Sequence, residues 1–261
     1  MTTHRPSVVH ISTEEAATEA LEAGADGLVH IFTDRAPEPG FIALAVKRKA
    51  FVTPTLTVVE GTTGVASGQS LTDDPRLAPY LTAEEIQNLR KHFPKHGELH
   101  FQNALDAVRQ LKAAGVPILT GTDAPNPGTA HGPSIHRELD LLVQAGLSPA
   151  EALAAATSVP ARIFGLKDRG RIEPGLRADL VLVKGDPTAN VTASRDIVKV
   201  WKIGQEISRP KAAKVETAAT PAAQVPATGE ISNFDDGTLK GTFGSGWQES
   251  TDKLAGGVSV V

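Results

Sequence analysis

Short apolar runs alternate with longer amphipathic stretches over most of the chain. Four of the apolar runs lie at residues 6–12, 27–32, 51–56 and 116–123. Each is rich in Val, Ile, Leu or Phe and is followed by residues with helical periodicity, which predicts repeated strand–helix units. Such units build an α/β barrel of the TIM type, and four of them make half of its eight strands.

Local signals predict where the helices begin. A Ser or Thr followed three residues later by Glu is typical of a capping box, and this spacing occurs at Ser12 to Glu15, Thr82 to Glu85 and Ser148 to Glu151. Residues 57–80 are instead rich in Gly, Thr, Ser and Asp. They are therefore predicted to form a loop over the active face of the barrel.

The alternation ends near residue 170. We expect residues 1–169 to form the half-barrel and residues 170–207 to form part of a small β-sandwich, with strands at 178–183 and 197–203. Residues 208–228 consist mainly of Pro, Ala, Thr and Lys, a composition that favours a flexible linker. Residues 229–261 are predicted to begin a second, truncated β domain.

Composition excludes several classes of function. The chain has 261 residues, 40% of them hydrophobic, with a net charge of −4 and no cysteine. Disulfides and a Cys nucleophile are therefore excluded, and neither a nucleic-acid nor a membrane partner is indicated. Nucleotide-binding glycine motifs are also absent from the sequence. The cellular compartment stays open.

Three ionisable residues close apolar runs: His10, His30 and Asp123. In an α/β barrel, side chains at the carboxyl ends of strands gather at one face. Two imidazoles and a carboxylate brought together there would suit a divalent metal ion, and Asp123 could bind the metal, take a catalytic proton from bound water, or do both. The structural alternatives are strand-end histidines bonded to backbone carbonyls and an Asp that caps a turn.

Two further histidines follow the Asp123 strand. His131 lies in a Pro/Gly-rich loop, from which it could contact substrate, and His136 lies in the next predicted helix. We expect His136 either to support the metal ligands from behind or to pack in the core. The His- and Lys-rich residues 91–100 are interpreted as a solvated helix face or a helix–helix corner rather than as a basic binding patch.

Several longer motifs share the pattern of one family. They are residues 24–30 (GADGLVH), 121–124 (GTDA), 131–139 (HGPSIHREL), 145–157 (AGLSPAEALAAAT) and 170–182 (GRIEPGLRADLVL). Together they resemble the metal-dependent amidohydrolase superfamily, in its imidazolonepropionase-like and Xaa-Pro dipeptidase-like branch. The resemblance covers residues 6–207. This stretch is similar to strands five to eight of the family's barrel together with its C-terminal β-sandwich.

The resemblance implies roles for the matching residues. His10 and His30 would be metal ligands, and Asp123 would bind metal and accept a proton from the attacking water. It also implies one or two divalent ions, with zinc favoured, and a small-molecule substrate, either a cyclic amide or a dipeptide. The family's His-x-His motif and its bridging lysine have no counterpart in the sequence. We therefore expect a fragment of an amide-type C–N hydrolase, inactive by itself.

Two other functions are kept as alternatives. The chain could be a non-catalytic half-barrel that assembles with a partner chain. A binding role could also reside in residues 231–259, which are similar to the start of the galactose-binding-like domain named for a complex I intermediate-associated protein. Whether the chain forms an oligomer is left open.

Overall fold

The computed structural model describes residues 6–94 and 97–211. These residues belong to one compact unit, which runs from Met1 to Ala213. Most of the predicted linker, and the whole of the predicted domain at 229–261, lie outside the described residues.

A parallel sheet forms the centre of this unit. Strands β1 (Val8–His10), β2 (Gly27–Val29) and β3 (Phe51–Thr53) pair in the order β1-β2-β3. A fourth extended segment continues the sheet through a parallel bridge between Val52 and Ile118. There the Val52 amide donates to the Pro117 carbonyl at 3.0 Å, and the Leu119 amide donates to the Val52 carbonyl at 2.8 Å. Four consecutive parallel segments match the predicted half-barrel.

Helices follow the strands as the alternation predicts. They are α1 (Glu14–Glu22), α2 (Pro39–Arg48), α3 (Leu56–Thr62), α4 (Gln69–Thr72), α5 (Ala83–Leu89), α6 (Phe101–Ala113), α7 (Ser134–Gln144), α8 (Pro149–Ala155) and α9 (Ser158–Ile163). The capping boxes at Thr82 and Ser148 are confirmed. The one at Ser12 is wrong by a residue, since Thr13 accepts the Ala16 amide.

The loop predicted at residues 57–80 is also wrong over part of its length. Helix α3 begins at Leu56, separated from the end of β3 by two residues, and α4 and a 3-10 turn at Ala78–Tyr80 follow it. The Val, Thr and Gly content of α3 disfavours a helix locally. Hydrogen bonds from the amides of Leu56 and Thr57 to the Glu138 carboxylate stabilise the first turn of α3, which local propensity does not.

The hydrophobic core lies between the sheet and the surrounding helices. Leu28 and Val52 of the sheet are fully buried, and so are Leu56, Leu111 and Leu142 from three helices. Burying a side chain of this size stabilises the fold by about 1.5–3 kcal/mol. The core therefore fixes the sheet, and with it the side chains at the strand ends.

A second sheet lies outside the alternation, as predicted. Strands β4 (Leu180–Val183), β5 (Ile197–Lys202) and β6 (Gln205–Ile207) pair antiparallel in that order. Their apolar side chains include Val181 and Val198, both more than half exposed. None of the helices in the described ranges is both long enough and apolar enough to span a membrane.

Candidate metal centre

The two strand-end histidines meet at the carboxyl edge of the parallel sheet. His10 is the last residue of β1, and His30 directly follows β2. Their ring centroids lie 4.5 Å apart in an edge-to-face arrangement. His10 is exposed, whereas His30 is buried. The register of β1 against β2 thus brings together two imidazoles that are separated by a whole helix in sequence.

Asp123 reaches the same place from the fourth segment of the sheet. Its Oδ2 atom lies 3.8 Å from the Nε2 atom of His30. Asn126 orients the aspartate, because its side-chain amide donates to Asp123 Oδ2 at 2.9 Å and to the Asp123 carbonyl at 2.8 Å. Asn126 is not among the site residues predicted from the sequence, because its contact with Asp123 depends on the turn that joins them.

Backbone strain is concentrated around these side chains. His30, Thr55 and Asp123 have φ angles of 72°, 49° and 51°, in the left-handed region. This region is sparsely populated by non-glycine residues, and a β-branched Thr there is a clear outlier. Strained backbone of this kind persists only where surrounding contacts over-determine it, and it tends to mark functional sites.

The contacts of Thr55 favour one tautomer of His30. The Thr55 hydroxyl lies 2.8 Å from the Pro54 carbonyl oxygen, which can only accept, and 2.5 Å from His30 Nδ1. Since the hydroxyl has one proton to donate, we assign that proton to the Pro54 carbonyl. His30 Nδ1 then carries hydrogen and donates to Thr55. The Nε2 atom, on the side of Asp123, is left with a free lone pair.

The electrostatic setting keeps His30 neutral. Burial is the main cause that lowers the pKa of His30, the nearby His10 lowers it further, and Asp123 opposes both. A neutral imidazole with a free nitrogen beside a carboxylate is a donor set that suits zinc and similar divalent metals. Within residues 6–94 and 97–211, however, no group of three or more His, Asp or Glu side chains is arranged to hold a metal ion. The described residues therefore fit part of a metal site.

His131 and His136 lie together at a different place. Both line a cavity of about 940 Å³, along with Tyr80, Ser194 and Arg209. His131 is exposed, whereas His136 is buried with its Nδ1 atom 2.9 Å from Ser194 Oγ. Burial, reinforced by nearby arginines, lowers the pKa of His136 to about 4. The described partner of His136 is thus a serine of the Val191–Arg195 turn rather than a strand-end residue.

A buried carboxylate that the sequence analysis missed lies behind the site. Glu138 of α7 is fully buried and accepts hydrogen bonds from the Leu56 amide at 2.9 Å, and from the Thr57 amide and hydroxyl at 2.8 Å each. Burial raises its pKa to about 7, although these hydrogen bonds and the charge of Arg137 lower it. The one sequence signal for Glu138 is the helical periodicity of α7, which places this charged residue on the face of the helix that packs in the core.

Comparison with known proteins identifies the family. The profile of the amidohydrolase family matches residues 3–207. The chain belongs to this family. Imidazolonepropionase from Cereibacter sphaeroides is 39% identical over 98 residues, which are 37% of this chain and 22% of that protein. The enzyme of the same name from Paracoccus denitrificans is 45% identical over 73 residues, 28% of this chain and 18% of that protein.

Solved structures give the same fold over a longer stretch. A Xaa-Pro dipeptidase with bound methionine has a TM-score of 0.56 at 24% identity and covers 77% of this chain. A proposed prolidase from Bifidobacterium longum has a TM-score of 0.57 at 27% identity and covers 80%. This amidohydrolase chain spans 44% and 48% of those two chains. The predicted superfamily, branch and fold class are confirmed.

Proposed function

We propose that this chain carries part of the centre of a metal-dependent hydrolase that cleaves an amide-type C–N bond in a cyclic amide or a dipeptide. The observation that carries the proposal is the placement of His30, with its Nδ1 atom 2.5 Å from the Thr55 hydroxyl and its Nε2 atom 3.8 Å from Asp123 Oδ2. The similarity to imidazolonepropionases and to a Xaa-Pro dipeptidase supports this substrate range.

His10, His30 and Asp123 would hold the ion, with zinc the metal that best suits two imidazoles and a carboxylate. When bound, a divalent cation supplies Lewis acidity and makes water acidic enough to ionise near neutral pH. Asp123 would accept the proton of the attacking water, since a carboxylate at a strand tip lies within reach of the reacting face. His131 would contact substrate from the cavity that it shares with His136, and His136 would hold that wall of the cavity in place through Ser194.

A non-catalytic role in assembly is the second candidate. Strand β1 pairs with β2 along one edge, and in the described part of the chain no strand covers the other. Val8 and Val9 on that edge are 40% and 36% exposed. Because an open, apolar strand edge invites pairing with another chain, this edge favours a partner that adds further strands.

Co-expression tests the catalytic proposal. The full chain is produced with the N-terminal half of a similar amidohydrolase, and turnover of a panel of dipeptides and cyclic amides is measured with added Zn²⁺ or Mn²⁺. We expect metal-dependent turnover in the complex and none with either half alone. Replacement of Asp123 by Ala should lower turnover by several orders of magnitude, since a ligand and a proton acceptor are lost together.

His92→Ala is the matched control, because His92 is an exposed histidine whose described contact is the neighbouring Phe93 carbonyl. It should leave turnover unchanged. A folded complex that keeps its rate after Asp123→Ala would refute the role of Asp123. A stable complex without turnover of any panel member would favour assembly as the function.

A further inference from the structure

The start of helix α3 has an unusual cap. Thr55 is its N-cap residue, yet the Thr55 side chain makes no capping hydrogen bond to the helix. A Thr at this position usually accepts a hydrogen bond from an amide two or three residues later. Here the Thr55 hydroxyl points instead to the Pro54 carbonyl and to His30 Nδ1.

Glu138 takes over the capping role from a distant part of the chain. Its two carboxylate oxygens accept the amides of Leu56 and Thr57, the first two residues of α3. The Thr57 hydroxyl adds a third hydrogen bond to the same carboxylate. Because these amides already have an acceptor, the Thr55 hydroxyl does not need to turn towards them.

Because Glu138 and not Thr55 caps α3, the buried Glu138 carboxylate is connected to His30, a candidate metal ligand, through the first turn of α3 and Thr55. Glu138 holds the first turn of α3, that turn follows Thr55 with its φ angle of 49°, and the Thr55 hydroxyl lies 2.5 Å from His30 Nδ1. An unconstrained neutral imidazole prefers to carry its proton on Nε2. The Thr55 contact therefore acts against the intrinsic preference of the ring.

We propose that Glu138 and Thr55 are positioning residues that hold His30 as its Nδ1–H tautomer, with Nε2 free on the side of Asp123. Hydrogen bonds of this kind orient ligating histidines and set which nitrogen is available. The assignment of Nε2 as a metal ligand rests on the proposed function. The tautomer itself does not, since it is a property of the metal-free chain.

The tautomer is measured directly by long-range ¹H–¹⁵N correlation spectra of the ¹⁵N-labelled full chain without metal, with the His30 signals identified by their loss in His30→Gln. The wild-type protein should show protonated Nδ1 and unprotonated Nε2. Thr55→Ala removes the hydroxyl, and we expect the proton to move largely to Nε2. Thr55→Ser restores the hydroxyl and should restore the Nδ1–H form. An Nδ1–H form that persists in Thr55→Ala would overturn the role of Thr55.

Glu138→Gln tests the more distant step. The amide group keeps the shape of the side chain but presents donors to at least one of the α3 amides, so the Thr55 hydroxyl should turn to cap the helix. We expect the Nε2–H form to appear in this variant. If Glu138→Gln does not fold, Glu138→Asp replaces it in the test. This change draws the carboxylate back from the α3 amides by one methylene, and the Nε2–H form should again appear.

Asp74→Asn is the matched control for a general loss of stability. Asp74 is also a buried carboxylate with several hydrogen bonds, but its partners are Arg76 and Arg195. It should lower stability and leave the His30 tautomer unchanged. A tautomer change of equal size in Asp74→Asn, or none in the Glu138 variants, would overturn the role of Glu138.

Titration with Zn²⁺ alone separates this inference from the proposed function. If Nε2 is a ligand, Thr55→Ala should weaken Zn²⁺ binding by about 10–100-fold, and Thr55→Ser should retain it. If the Thr55 and Glu138 variants change the His30 tautomer as expected, but the wild-type chain has no measurable affinity for Zn²⁺, the positioning roles are supported and the metal site is contradicted.

Discussion

His30 Nε2 lies 3.8 Å from Asp123 Oδ2, and both residues have a left-handed backbone conformation where their strands end. The two strands are separated in the sheet by β3, whose next residues, Pro54 and Thr55, approach the same point. The parallel order of the sheet therefore brings an imidazole, a hydroxyl and a carboxylate from three segments into one cluster. This is the part of the amidohydrolase fold from which the proposed chemistry follows.

Zinc binding to the full chain should be weak and should depend on His30. Two imidazoles and one carboxylate leave coordination positions open, and His10 is exposed to solvent. We expect isothermal titration of Zn²⁺ to show binding that is about tenfold weaker or more in His30→Ala. His92→Ala should bind as the wild type does. Equal affinities in all three proteins would show that zinc binds elsewhere.

His136 should make stability depend on pH. Its pKa is lowered to about 4 in the folded protein, whereas an unfolded histidine titrates near 6.5. Between these values the unfolded chain binds more protons. The contribution of His136 is therefore fully present above about pH 6.5 and is lost as the pH falls through 4.

The free energy of unfolding, measured by urea denaturation between pH 4 and 7, tests this dependence. Relative to His136→Gln, we expect the wild type to lose on the order of 2–3 kcal/mol over this range. The exposed His92→Gln should follow the wild-type curve. Parallel curves for the wild type and His136→Gln would show that His136 is not held neutral by burial.

Gly121 should resist substitution because the extended segment that leads to Asp123 approaches β3 closely there. A Cβ atom at Gly121 would lie 2.6 Å from Thr53 Cγ2 and 3.3 Å from Thr55 Cγ2. We expect Gly121→Ala to lower the free energy of unfolding by about 1–3 kcal/mol, as overpacking does.

Gly40 in α2 offers the opposite case, since a Cβ there meets no atom within 4 Å. Gly40→Ala should stabilise the protein by up to about 1 kcal/mol, through higher helix propensity. Urea denaturation of Gly121→Ala and of Gly40→Ala gives the change in the free energy of unfolding for each variant. A Gly121→Ala protein as stable as the wild type would mean that the strand can move away from β3 without cost.

The ion pairs around Asp74 should contribute to stability through burial. Asp74 and Arg195 have side chains only 6% and 8% exposed, and Arg195 also contacts Asp140. Asp74→Asn removes one of the two carboxylates that neutralise the buried charge of Arg195. We expect the free energy of unfolding, measured by heat or urea, to fall by about 3–5 kcal/mol. The exposed pair of Asp168 and Arg169 is the control, and Asp168→Asn should leave stability unchanged. Equal effects of the two changes would contradict a role for burial.

Much of the fold could be predicted because its signals are local. The capping boxes at Thr82 and Ser148 each involve residues three positions apart, so the spacing in the sequence is also the contact in the structure. The apolar runs likewise predicted β1, β2 and β3, although the strands are shorter than the runs. The placement of His10, His30 and Asp123 at strand ends followed from the same pattern, and their roles stay predictions.

The sequence by itself determined the strand–helix order and which side chains end the strands, since both depend on residues close in the chain. Only the tertiary structure decided that α3 forms in a segment of low helix propensity and that Thr55 contacts His30 instead of capping that helix. Both depend on Glu138, whose hydrogen bonds join positions 81 and 82 residues apart. Residues so far apart in sequence leave no local pattern of their contact, because only the folding of the core brings Glu138 next to the start of α3.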